Sequence, residues 1–193
     1  MKPFFFTFKS INITWFMAIG IVIATISYII TGFLAKEYKE DKNKIEDIFM
    51  VLLIVGFIGA RISYVLMNLQ SSKGKISSIF KISHDNLSLL GGLIFGVLTL
   101  ILLSKIYKIE FYNLFRIYII PFYFSMAVGI WILMFDLLLL ASTHLNNDPI
   151  KILYVSLLFL MGLGLELVTS NKYNNKYISF IILVIVMFLY YMI

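Results

Sequence analysis

The chain has 193 residues, 61% hydrophobic and 13% charged, where a soluble domain runs to roughly half and a quarter. Its formal net charge of +6 rests on basic residues that flank apolar runs, which points to membrane topology and anionic headgroups, not to nucleic acid. The lack of cysteine excludes disulfides, thiolate metal sites and a cysteine nucleophile, and two histidines, His84 and His144, argue against a multi-histidine metal site.

The apolar residues come in runs of about 20, the length that crosses a hydrocarbon core of about 30 Å. Helices satisfy their own backbone in lipid. The expected fold is therefore an all-α polytopic integral membrane bundle, one transmembrane domain over residues 1–193, with about six helices. The first run starts after Lys2, the aromatic patch Phe4-Phe5-Phe6 and Lys9. It spans 11–35, is too long for a signal-peptide core and is not followed by a small-residue cleavage site. The others fall at 47–69, 87–104, 117–141, 151–169 and 177–193. Between the first two lies a charged run with Lys36, Lys39, Lys42 and Lys44 among Glu37, Glu40, Asp41, Glu46 and Asp47, read as a solvated helix end and loop. With Lys105, Lys108 and Arg116, and with Lys172 and Lys176, these lysines bias three loops to the cytoplasmic side.

The second run holds one charge, Arg61. An arginine at membrane depth costs roughly 2.5–3.5 kcal/mol on insertion scales unless something pairs with it. It lies about 14 residues beyond Asp47, hence roughly 21 Å from the cytoplasmic end. Asp136, deep in the fourth run, reaches the same outer level. So do Asn86, Ser88 and the pair Gly91-Gly92 at the start of the third run, and Trp15 and Phe16 near the start of the first. Two readings stay open for Arg61: a structural pair with Asp136, or a guanidinium fork that receives a phosphate or carboxylate. Gly91-Gly92 serves either close helix packing or backbone approach to a headgroup. Gly56, Gly59 and Ala60 read as a packing stripe, as do Gly162 and Gly164. Pro121 is expected in the first turns of its helix, where proline is tolerated. Glu166 is expected near the inner surface, reaching water. His84 and His144 read as solvent-facing loop residues, and Tyr190 and Tyr191 as an interfacial aromatic belt. No nucleotide loop, zinc motif or nucleophile elbow is visible, and no cofactor or metal is expected.

Three blocks in this order carry a resemblance: Ile13-Thr14-Trp15-Phe16, then Gly59-Ala60-Arg61-Ile62-Ser63-Tyr64-Val65-Leu66, then Leu87-Ser88-Leu89-Leu90-Gly91-Gly92. The chain resembles the bacterial prolipoprotein diacylglyceryl transferase family over about residues 8–140, with a weaker echo at Asp148-Pro149 to Tyr154. The resemblance implies a multi-pass protein of the bacterial cytoplasmic membrane. It also implies a phospholipid partner (phosphatidylglycerol) and a prolipoprotein or other membrane peptide whose cysteine thiol receives the diacylglyceryl group. The same likeness exposes substitutions. The family has Trp-Tyr where this chain has Trp15-Phe16, and a histidine at Leu90. Its Gly-Arg-x-Gly-Asn-Phe-x-Asn signature falls on Gly129 to Asp136, where arginine, glycine and the first asparagine are Ile130, Ile132 and Leu133. Arg61, Ser88, Gly91 and Gly92 remain as candidate headgroup-binding residues, with Asp136 as a charge partner and no catalytic residue assigned. The readings are a divergent transferase, or an inactive lipid- or peptide-binding accessory protein on the same scaffold.

Overall fold

In a computed structural model the described residues are 4–8, 11–67, 88–134, 149–172 and 177–193. Asn86, His84, Asp136 and His144 lie outside them. Among these residues are six α-helices: α1 (Trp15–Glu37), α2 (Lys42–Met67), α3 (Leu89–Tyr107), α4 (Phe111–Gly129), α5 (Pro149–Lys172) and α6 (Ile178–Met192). A 3₁₀ segment, Ile130–Met134, continues α4. Five of the helices are long and apolar enough to cross a membrane, and α6 is a shorter apolar helix of 15 residues. The expected helical membrane bundle is what the chain forms.

Several boundaries differ from the expected spans, each for a local reason. Residues Ile11–Thr14 do not begin the first helix. They form a strand, β2, paired antiparallel with β1 (Phe4–Phe8). Both are rich in aromatic and β-branched residues, which suit a pleated surface. The charged run after α1 is mostly helix rather than loop. Tyr38, Lys39 and Glu40 close the end of α1 by backbone bonds to Leu34, Lys36 and Ala35, with Lys39 in the left-handed region at φ 56°. Asp41 then caps α2, its carboxylate accepting from the Asn43 N–H at 3.0 Å. A Lys42–Glu46 ion pair at 3.2 Å supports the first turn.

Helix α4 starts six residues earlier than its apolar run. Pro121 is therefore mid-helix, not in the first turns, and leaves the Ile117 carbonyl without its helical donor. The segment is among the most buried in the molecule, where neighbouring helices support such a break. Helix α5 opens on Pro149, whose missing N–H costs nothing at a helix start.

The core lies where α1, α2, α4 and α5 meet, around Ala35, Ile45, Ile48, Leu114, Ile117, Tyr123, Val155 and Phe159. Polar cross-links run between helices. Ser27 and Ser125 hydroxyls pair at 2.8 Å, and Ser156 accepts from the Trp131 indole at 3.0 Å while donating to the Ala127 carbonyl at 2.8 Å. Such bonds hold bundles in lipid, where burying apolar side chains between helices gains little over leaving them in hydrocarbon. Ile21, Phe33 and Met161 instead expose two thirds of their surface, as lipid-facing side chains do.

Candidate functional site

The closest helix contact is between α2 and α3, and it is built from small residues. Gly56, Gly59, Ala60 and Ser63 recur at helical spacing along one face of α2. Gly91, Gly92 and Phe95 of α3 sit against them. A methyl placed on Gly91 would lie 2.2 Å from Ser63 Cβ and 3.1 Å from the Gly59 carbonyl oxygen. One on Gly92 would lie 3.3 Å from both Ala60 Cβ and the Gly56 carbonyl oxygen, and one on Gly59 would meet Phe95 at 2.4 Å. The bare faces of Gly91 and Gly92 are thus turned to α2. Of the two readings for this pair, helix packing has the geometry. Gly162 also packs, with Tyr123 and Val186 at 3.1 Å from such a methyl; Gly164 meets nothing and is not a packing glycine.

This crossing fixes the start of α3 beside Arg61. Ser88 caps α3: its hydroxyl oxygen accepts from the Gly91 N–H at 3.2 Å. Its own backbone N–H donates to the Ala60 carbonyl at 3.0 Å, one residue before Arg61. Arg61 is 7% exposed. Ser88, Gly91 and Gly92 are therefore gathered around the Arg61 turn, as their common outer level in the sequence suggests. The Arg61–Asp136 pair falls outside the described residues.

The replaced positions are also placed. Leu90 leaves 43% of its surface exposed at the first turn of α3, and Ile130 is buried where α4 passes into the 3₁₀ segment. Phe16 lies in the first turn of α1, and Leu133 in the 3₁₀ segment. Among the described residues no three His, Cys, Asp or Glu side chains gather as metal ligands.

One polar cluster was not legible in the sequence. Glu166 does not reach water; it is 1% exposed. The Ser179 hydroxyl of α6 donates to its Oε1, while Oε2 is buried without a hydrogen-bond partner among the described residues. The Arg116 guanidinium and the buried Tyr123 phenol, both on α4, interact electrostatically with the carboxyl. Depth along a helix was readable; which face α6 covers was not. The only signal was Ser179 itself, a hydroxyl at the second residue of an apolar helix.

A profile of the family described as prolipoprotein diacylglyceryl transferase matches residues 3–191. The chain belongs to that family. A phosphatidylglycerol–prolipoprotein diacylglyceryl transferase of Listeria monocytogenes serotype 4a is 31% identical over 134 residues, 68% of this chain and 47% of the relative. Proteins of the same name from Clostridium kluyveri and Clostridioides difficile are 27% and 33% identical over 132 residues, 51% of each relative. The chain spans about half the length of the curated relatives it matches. Family membership and the five spanning helices make it a multi-pass protein of the bacterial cytoplasmic membrane.

Proposed function

We propose that this protein is a divergent phosphatidylglycerol–prolipoprotein diacylglyceryl transferase in which Arg61 holds the lipid phosphate. The observation that carries this reading is a buried arginine at the α2–α3 crossing, beside the capped start of α3. A guanidinium there presents a fixed fork that matches a phosphate. Ser88 sits next to it, and Gly91 and Gly92 set how closely the two helices approach.

In the transfer, the cysteine sulfur of the lipoprotein forms a bond to the glyceryl carbon. The bond from that carbon to the phosphate oxygen breaks, and glycerol phosphate leaves with the electron pair. Arg61 balances the charge that gathers on the leaving phosphate. The thiol proton must pass to a base; Asp136 is the candidate in this chain. At the positions of the family tyrosine, histidine, arginine and asparagine this chain has Phe16, Leu90, Ile130 and Leu133.

Those apolar replacements favour a second reading, an accessory protein that binds the lipid or a lipoprotein peptide without transferring. Both readings need Arg61. Arg61→Leu is expected to lower retention of phosphatidylglycerol, measured by native mass spectrometry from nanodiscs, by roughly 10- to 100-fold, the value of a charge-assisted hydrogen bond of about 1.5–3 kcal/mol. Unchanged retention in a folded variant would remove the headgroup role from both readings.

A further inference from the structure

At the opposite end of the bundle from Arg61, the α1–α2 turn encloses a groove of about 170 Å³ lined by Tyr28, Ile29, Gly32, Phe33, Lys36, Lys42 and Glu46. Its chemistry is graded along the helix axis. Ile29, Phe33 and Lys36 follow each other at helical spacing down one face of α1, so the lysine stands about 10 Å from Ile29 along the axis. Ile29 is 51% exposed and Phe33 68%, as lipid-facing side chains. Lys36, in the last turn of α1, is exposed, and the Lys42 side chain is 50% exposed. The tight turn through Lys39 brings Lys42 over Gly32, where an added methyl would lie 3.2 Å from Lys42 Cε and 3.3 Å from Glu46 Oε1. Glu46 holds Lys42 at 3.2 Å and also takes part in a hydrogen bond with the Tyr28 phenol. That ion pair occupies one of the three ammonium donors of Lys42. Among the lining residues two lysines stand against one glutamate, within a turn of four lysines and five carboxylates.

We infer that this groove is a second lipid site, taking one anionic glycerophospholipid from the cytoplasmic leaflet, with its phosphate on Lys36 and Lys42 and an acyl chain along Phe33 and Ile29. Lys36 and the two remaining donors of Lys42 suit a phosphodiester, and the polar-to-apolar gradient matches a headgroup above a chain. The lysine bias places this end in the leaflet that carries anionic lipid. A soluble phosphate has no use for the exposed Ile29 and Phe33 wall, so the bilayer lipid is the favoured source. The site is independent of the Arg61 reading, because it lies at the other end of α2, between that helix and α1.

The test uses the full-length protein in phosphatidylcholine nanodiscs doped with a photo-crosslinking phosphatidylglycerol that carries a diazirine in its acyl chain. Peptide mapping then locates the adducts. Labelling is expected at residues 28–36 and to fall by roughly tenfold or more in Lys36→Gln/Lys42→Gln, since each lysine near an anionic membrane surface is worth roughly fivefold in binding, about 1 kcal/mol. Labelling by a phosphatidylcholine analogue is expected to be weak there and unchanged by the substitutions. Arg61→Leu is expected to leave the groove labelled. Should the double variant lose its thermal transition, Lys36→Gln alone, at an exposed position, carries the test with a smaller fall of severalfold. Equal labelling by both lipids, meaning ordinary annular lipid, would overturn the inference. So would labelling indifferent to the lysines, or full competition by free glycerol phosphate, which would mark a soluble-anion site instead.

Discussion

Gly91→Val is expected to lower the stability of the protein by about 3 kcal/mol, at the upper end of the range for overpacking. For a chain of this size that corresponds to a fall in melting temperature of roughly 6–12 °C, readable in detergent. The cause is steric. The first atom of any side chain at Gly91 falls 2.2 Å from Ser63 Cβ, and the Gly59 carbonyl is 3.1 Å away, so the clash is partly with backbone and cannot be relieved by a rotamer change. Helices α2 and α3 must part. Parting them breaks the bond from the Ser88 N–H to the Ala60 carbonyl, so lipid binding at Arg61 should fall with stability. Gly96, on the same helix, is the internal control. A methyl there meets nothing within 4 Å, so Gly96→Ala should be neutral or stabilising by up to about 1 kcal/mol through helix propensity. Equal effects at the two positions would show that the α2–α3 contact is not the one described.

Glu166→Leu is expected to be the next most damaging change. It removes the acceptor of the buried Ser179 hydroxyl and the carboxyl that faces Arg116. Leaving a buried donor unmet costs about 1–3 kcal/mol. Individual hydrogen bonds in membrane bundles average nearer 0.6 kcal/mol, so a value towards the low end of that range is expected. Glu166→Gln keeps an acceptor for Ser179 and a similar volume, and should lose less than half as much. The measurement is thermal unfolding of both variants, followed by protease accessibility of α6, which Ser179 ties to α5. A Leu variant as stable as the parent would mean that the cluster holds nothing. A Gln variant as weak as the Leu variant would mean that the charge facing Arg116, not the hydrogen bond, does the holding.

How much of this was legible in the sequence differs by level. The spanning helices were, because runs of about 20 apolar residues leave few alternatives in lipid. Their ends were not. Asp41 and the Lys42–Glu46 pair start α2 in a stretch whose charge reads as loop, and hydropathy is blind to helix that continues into the headgroup layer. Ile11–Thr14 is apolar enough to pass for helix, and only its pairing with Phe4–Phe8 made it a strand. Pro121 shifted from the first turns to mid-helix for the same reason as the other ends.

At the site, the small-residue stripe of α2 and the Gly91-Gly92 pair were both visible. That each is the other's partner is tertiary information, and it gives the pair a packing role. The level of Arg61 could be computed from 1.5 Å per residue, whereas the burial of Glu166 depended on where α6 lies. Leu90 and Ile130 were legible as losses of polar groups; that the Tyr191 phenol bonds to the Leu90 backbone was not, because it depends on where α6 ends.

The central claim is transfer, and the most direct measurement is mass spectrometry of a lipobox peptide incubated with the purified protein in phosphatidylglycerol nanodiscs. A divergent transferase predicts a peptide heavier by one diacylglyceryl group, linked through the cysteine sulfur, with glycerol phosphate released in equal amount. Arg61→Leu should abolish both signals. A peptide of unchanged mass, from protein shown by its melting transition to be folded and by native mass spectrometry to retain phosphatidylglycerol, would contradict transfer and leave the lipid-binding accessory protein.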